Sequence, residues 1–287
     1  MNSVHRVLEQ CSLSIERGSF LSIVGPSGSG KTTLFNVIAG LAVPQSGHVS
    51  IDGATVTGPS ARVAYMLQKD LLMPWRTMLE NITLGLEIRG IGRAEARRRG
   101  MELISRYGLA GFEHAFPAAL SGGMRQRAAL IRTLVLEPQI VLLDEPFSAL
   151  DYQTRLTLEA DVSRIMRERG CTAILVTHDI EEAVSIADRV IVLGGRPAAI
   201  KADLRIELTV SGERTPVTAR EAPEFRTYHK RLASLEVAAA PARPRVQAPD
   251  ARVFVVPAVQ LGILAAILAL WQLGANAHLI NGMLFQG

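Results

Sequence analysis

Four short apolar runs punctuate the chain: FLSIVG at 20–25, IVLLD at 140–144, TAILVTH at 172–178 and RVIVLGG at 189–195. Runs this short, without polar alternation, read as strands buried on both faces. Helix-like stretches such as Lys31–Leu41 and Tyr152–Arg169 fall between them. Alternation of this kind predicts an α/β fold around a mainly parallel sheet. No internal repeat is visible.

The pattern changes near the end. From Val253 to Ala277 no side chain is charged. A bilayer core of about 30 Å needs about 20 apolar residues in a helix, so this run is long enough to cross. Pro257 falls near its start, where a helix tolerates proline, and Trp271 falls near its far end, where an interfacial aromatic would sit. Arg243, Arg245 and Arg252 flank only the near side. The positive-inside rule then keeps everything before 253 in the cytoplasm. A buried core helix is the competing reading. The preceding stretch, 237–251, is rich in Ala, Pro and Arg and reads as a linker.

Composition narrows the classes. A length of 287 residues fits roughly two domains. A 48% hydrophobic chain with 20% charged residues is neither disordered nor fibrous. Cys11 and Cys171 lie far apart and form no CxxC pair, which argues against a disulfide scaffold or a cysteine zinc site. The net charge of +4 is too small to require nucleic acid as a partner. Arg93–Arg106 holds several arginines without interleaved aromatics and reads as a solvated helix face. Met1–Ser12 lacks the apolar core of a secretory signal.

The clearest chemistry lies at 25–32. Gly25, Pro26, Ser27, Gly28, Ser29, Gly30, Lys31 and Thr32 match G-x-x-x-x-G-K-[ST] in full, between a strand-like and a helix-like stretch. Gly28 and Gly30 let the backbone curl so that its N–H groups face phosphate oxygens. The positive end of the next helix adds to the attraction. Lys31 is expected to reach the β- and γ-phosphates, Thr32 to ligate Mg²⁺, and Thr33 to contact the α-phosphate. A phosphate loop of this kind needs an acid at the end of a buried strand. IVLLDE supplies Asp144 to hold Mg²⁺ through water, and Glu145 to orient and deprotonate the attacking water.

Between these two halves lies LSGGMRQR, residues 120–127. With it, the chain resembles the ATP-binding subunit of ABC transporters. The resemblance implies a P-loop NTPase (RecA-like) core with a helical subdomain, and ATP with Mg²⁺ as cofactors. It implies that Ser121, Gly122 and Gly123 touch the γ-phosphate of ATP held by a second copy. Gln68 in YMLQKD is similar to the Q-loop glutamine that senses Mg²⁺. SALD, ending in Asp151, resembles the D-loop. His178 in LVTHD resembles the switch histidine at the γ-phosphate.

LLMPWRTMLENITLGLEIRG, 71–90, resembles the segment after the Q-loop in ATPases for nitrate, sulfonate, taurine and related small-solute uptake, and HMP-type thiamine-precursor uptake systems look alike here. Pro74-Trp75 is its most characteristic pair. Ordinary core packing is an equal reading of Trp75. No Tyr, Phe or Trp precedes Phe20, where the family carries an adenine-stacking aromatic. Either adenine affinity is weaker, or the start is cut short. The apolar tail resembles the first span of a permease.

The expected organisation is therefore an ATPase domain at 1–200 with its helical subdomain at about 70–135. A C-terminal extension follows at 201–236 and a linker at 237–251. A permease-like fragment at 252–287 carries a transmembrane helix at about 253–275. The expected function is ATP hydrolysis at the cytoplasmic face of the membrane, powering a separate importer permease fed by an external solute-binding protein, with no nucleic acid involved. A non-transport ATPase and a tethered module with impaired hydrolysis are the alternatives.

Overall fold

The computed structural model describes residues 6–239. In chain order it contains β1 (Phe20–Val24), α1 (Lys31–Ile38), β2 (Ser50–Ile51), β3 (Ala54–Thr55) and β4 (Val63–Met66). Next come α2 (Met78–Ile88), α3 (Arg93–Arg106), α4 (Gly122–Leu134), β5 (Ile140–Asp144) and α5 (Tyr152–Arg169). The remainder is β6 (Thr172–Val176), α6 (Ile180–Ile186), β7 (Arg189–Gly195), β8 (Ala198–Arg205), α7 (Pro216–Glu221) and α8 (Phe225–Ala239).

The four apolar runs become β1, β5, β6 and β7 of one six-stranded sheet, ordered β4-β5-β6-β1-β7-β8. All pairings are parallel except β7 with β8. β1 and β6 are buried along their whole length, so both faces of the sheet must be covered. Phe35 and Ile38 of α1 pack on one face with Leu21 and Ile23. The other face carries the larger core, built on α2, α4, α5 and α6. The parallel strands all end at one edge, where open α/β sheets bind ligands.

Polar residues set the helix starts. Thr77 and Glu80 form a reciprocal capping box on α2, Ser121 caps α4, and Asp151 caps α5. α3 keeps its arginines on a solvated face, where Arg98 and Arg99 both pair with Glu95. Helices α2, α3 and α4 pack together as a helical layer.

Two sequence-based boundaries move. β8 runs through position 200, so the ATPase core does not end there; its ladder with β7 extends to Arg205. α8 continues to Ala239, so the first three residues of the expected linker are helical. That helix end packs directly on the sheet. A Cβ at Gly194 of β7 would lie 2.4 Å from the Ala239 Cβ. The predicted membrane helix at 253–275, and the linker beyond Ala239, lie outside the described residues. Among the described residues, no helix is long and apolar enough to cross a membrane.

Behind the ligand edge, α5 buries Glu159 completely, and Arg220 of α7 pairs with it at 3.3 Å. Burial lifts Glu159 from the ordinary 4.5 to about 7, against the pull of Arg220. Glu182 on α6 is pushed well above its ordinary value by burial, with Glu159 and Asp179 adding to the effect.

Two predictions follow from these contacts. Gly194→Val forces α8 off the sheet and should cost about 1–3 kcal/mol in urea unfolding, as overpacking does; an unchanged midpoint would refute the close approach. Glu159 binds a proton in the folded state that it releases in the unfolded state between its ordinary value of 4.5 and about 7. Its contribution to stability is therefore present at low pH and is lost as pH rises through that window. The stability of the wild type relative to Glu159→Gln should fall between about pH 4.5 and about pH 7. A flat difference would contradict it.

Candidate functional site

β1 delivers the chain into the glycine-rich loop at the centre of the ligand edge. Gly28 and Gly30 have φ of 77° and 79°, a left-handed backbone that side chains other than glycine rarely adopt. Gly30 is the residue before α1, and neither a side-chain cap nor a first-turn acid occupies that helix start. α2, α4 and α5 are capped, so α1 differs from them in leaving its first N–H groups for an anion. Ser29 is buried, and its hydroxyl has no hydrogen-bond partner among the described residues. Ser27 and Thr32 are exposed, Pro26 and Thr33 are half-buried, and Gly25 is buried.

Lys31 is only 8% exposed. Its Nζ donates to the Gly25 carbonyl at 2.6 Å and to the Pro26 carbonyl at 3.1 Å. Burial pushes its pKa down, opposed by the charges of Glu145 and Asp144. The ammonium is thus folded back on its own loop, within reach of any phosphate that the loop holds.

Two strands away, β5 ends at Asp144. Tyr65 of β4 donates its hydroxyl to Asp144 Oδ2 at 3.0 Å. Burial raises Asp144, and the Tyr65 hydrogen bond opposes the rise. The Tyr65 hydroxyl is in turn held protonated by burial and by the Asp144 charge. Sequence reading missed Tyr65. Its role depends on the pairing of β4 with β5, which no local pattern reveals.

Glu145 follows with φ 45°, a strained backbone for a residue with a Cβ. Its N–H donates to the Val176 carbonyl of β6 at 2.9 Å. Gln68 Nε2 donates to Glu145 Oε2 at 3.2 Å, and His178 Nδ1 lies 3.2 Å from the same oxygen. Three residues that are remote in sequence therefore meet at one carboxylate. The backbone of Gln68 is fixed by α4: Gln126 Nε2 donates to the Gln68 carbonyl at 3.1 Å, and Arg132 donates to the Asp70 and Leu71 carbonyls at 2.6 and 2.8 Å. Sequence reading gave Gln126 and Arg132 no role.

The signature residues stand apart from this cluster. Ser121 Oγ accepts from the Met124 N–H at 3.2 Å, and Gly122 and Gly123 form the first turn of α4. Among the described residues no hydrogen bond joins Ser121–Gly123 to the glycine-rich loop. Asp151 Oδ1 accepts from the Thr154 N–H at 3.1 Å. Trp75 is 72% exposed, with Leu71 at 49% and Leu67 at 42%, so core packing does not explain it.

The residues present fit a magnesium nucleotide. Uncapped N–H groups and Lys31 suit a polyphosphate. The Thr32 hydroxyl and one carboxylate, Asp144, suit Mg²⁺, which takes few protein ligands and completes its shell with water and phosphate oxygens. Among the described residues no cluster of three His, Cys, Asp or Glu is placed to hold a metal by itself.

Comparison with known proteins agrees with this arrangement. The family model described as "ABC transporter" matches residues 8–148. An uncharacterized ABC transporter ATP-binding protein of Methanocaldococcus jannaschii is 44% identical over 80% of this chain and 84% of its own. The nitrate import ATP-binding protein of a Synechocystis strain is 41% identical over 79% of this chain and 87% of its own. The taurine import ATP-binding protein of Yersinia pestis is 42% identical over 67% of this chain and 76% of its own. The solved dimer of the ATP-binding cassette MJ0796 in a post-hydrolysis state with ADP and Pi superposes with a TM-score of 0.62 at 33% identity, covering 70% of this chain and 91% of that one. With its α/β cassette fold and relatives this similar over most of their length, the chain belongs to the ABC transporter ATP-binding proteins, a family of ATPases.

Proposed function

We propose that this chain is the ATP-binding and hydrolysing subunit of an importer for a small anionic, sulfonated or nitrogenous solute, driving a separate permease. The observation that carries hydrolysis is the meeting of Gln68 and His178 at Glu145 Oε2, at the same sheet edge as the phosphate loop. The solute class rests on the names of the relatives above and on the Pro74-Trp75 segment.

In this reading Lys31 leaves the Gly25 and Pro26 carbonyls for the β- and γ-phosphates. The loop N–H groups, Ser27, Ser29 and Thr33 hold the remaining oxygens. Thr32, Gln68 and, through water, Asp144 would hold a Mg²⁺ ion, which would supply charge neutralisation at the phosphates. Glu145 accepts a proton from the attacking water while Gln68 and His178 fix its carboxylate. His178 also faces the γ-phosphate, where its side chain stabilises transferred charge. Two copies close head to tail, so that Ser121, Gly122 and Gly123 of one reach the nucleotide of the other, and Asp151 lies near the junction. The solved relative is likewise a dimer. In this reading the permease docks on the exposed Leu67, Leu71 and Trp75 surface, with the subunit at the cytoplasmic face of the membrane. An external binding protein delivers the solute to the permease.

Glu145→Gln should lower the hydrolysis rate at least about 100-fold, the usual contribution of a general base. The same variant should form a dimer with ATP that light scattering detects and that disperses without it. Hydrolysis at the wild-type rate would refute the assignment of Glu145. Tyr65→Phe removes a hydrogen bond that lowers the Asp144 pKa. The acidic limb of the rate profile should then move to higher pH, by up to about one unit. An unmoved limb would show that Asp144 does not limit the rate there.

A further inference from the structure

We propose that Arg155 is a positioning residue for hydrolysis, locking the segment that carries His178 to the loop that ends in Asp151. The inference rests on the reading of His178 given above.

His178 is mostly exposed, and its own side chain meets only Glu145 in the hydrogen-bond and ion-pair network of the described residues. Its placement must come from its neighbours. Thr177 is buried, and its hydroxyl donates to Glu182 Oε2 at 3.1 Å. That hydroxyl also accepts from the Asp179 N–H at 2.9 Å. Asp179 caps α6, with Oδ1 accepting from the Glu181 and Glu182 N–H groups at 2.9 and 3.2 Å. These bonds order the segment internally. They do not tie it to the loop at 148–151.

Arg155 makes that tie. Its Nη1 donates to Asp179 Oδ2 at 3.1 Å, and its Nη2 donates to the Leu150 carbonyl at 3.4 Å. One planar guanidinium thus spans the residue after His178 and the residue before Asp151. It is anchored on α5, one turn into the helix that Asp151 caps. The side chain is only 26% exposed, which shields the Asp179 pair from solvent. Arg155 touches neither the glycine-rich loop nor Glu145 in the hydrogen-bond network. Its influence therefore falls on where His178 stands and not on how tightly the phosphates are held. A lysine would keep the charge but offers a single point of attachment in place of the fork.

The test is steady-state hydrolysis by the full chain with ATP and Mg²⁺. Arg155→Met is expected to lower kcat about tenfold, since displacing a reacting group by a fraction of an ångström is enough for that. KM for ATP should stay within about twofold, as for a residue that acts after binding. Arg155→Lys should recover part of kcat. Asp179→Asn keeps a good helix cap, and combining it with Arg155→Met should cost little more than Arg155→Met alone. His178→Ala is the control for the underlying reading. If His178→Ala hydrolyses at the wild-type rate, the role of His178 fails and this inference falls with it. If His178→Ala is inactive while Arg155→Met keeps the wild-type kcat, only the positioning role of Arg155 is overturned. A loss of kcat in Arg155→Met that merely matches a loss of folded protein, followed by circular dichroism, overturns it as well.

Discussion

One backbone hydrogen bond holds the site together. The N–H of Glu145, in a left-handed conformation, donates to the Val176 carbonyl at the end of the neighbouring strand. A glutamate with φ 45° is strained by about 1–3 kcal/mol, and it persists only where the surroundings over-determine it. Here the parallel ladder of β5 and β6 does so, because both strands are buried and their register is fixed from Ile140 to Asp144. The turn throws the Glu145 carboxylate back across the sheet edge toward Gln68 and His178. A residue in ordinary extended conformation would continue the strand direction instead. The strained peptide sets where Glu145 stands, while α4 fixes Gln68 and the neighbours of His178 fix that side chain.

The second layer is made of charges that the first layer hides. Glu159 and Glu182 are buried behind the segment of His178, with Arg155 and Arg220 as the nearby cations. Arg220 comes from α7, beyond the last strand of the sheet. The C-terminal extension is therefore part of the electrostatic balance of the ATPase core. Removing one partner of such a buried pair is costlier than never having built it, because an unpaired charge stays in the low-dielectric interior. α8 closes on the same sheet, with Ala239 tight against Gly194 of β7.

Much of the fold was legible because buried parallel strands leave an unmistakable signal. IVLLD and RVIVLGG became β5 and β7 with the same boundaries as the runs themselves. Tyr152–Arg169 was equally clear, since Asp151 and Gly170 mark its start and stop chemically. The glycine-rich loop was legible because its spacing has a mechanical meaning. The boundary at position 200 was misplaced because β8 is an edge strand with polar alternation, and its partner is found only through the hairpin with β7. Tyr65, Gln126, Arg132 and Arg155 were invisible for one shared reason. Each acts on a residue 24 or more positions away, at a backbone oxygen or a carboxylate that only the folded chain brings near.

The exposed segment after Gln68 shows how rigidity and exposure combine. Leu71 has φ 45°, and Arg132 binds its carbonyl together with that of Asp70. Asn81 reinforces the next stretch by accepting from the Met73 N–H and donating to three carbonyls. A loop anchored this heavily does not need its apolar side chains for its own stability. Yet Leu67, Leu71 and Trp75 stay in solvent, where a buried large apolar side chain would gain about 1.5–3 kcal/mol. Such a surface is retained on a stiff frame when the gain is realised against another molecule. Under the proposed reading that molecule is the permease. The same arginine that stiffens the surface also fixes the loop of Gln68, whose side chain meets Glu145.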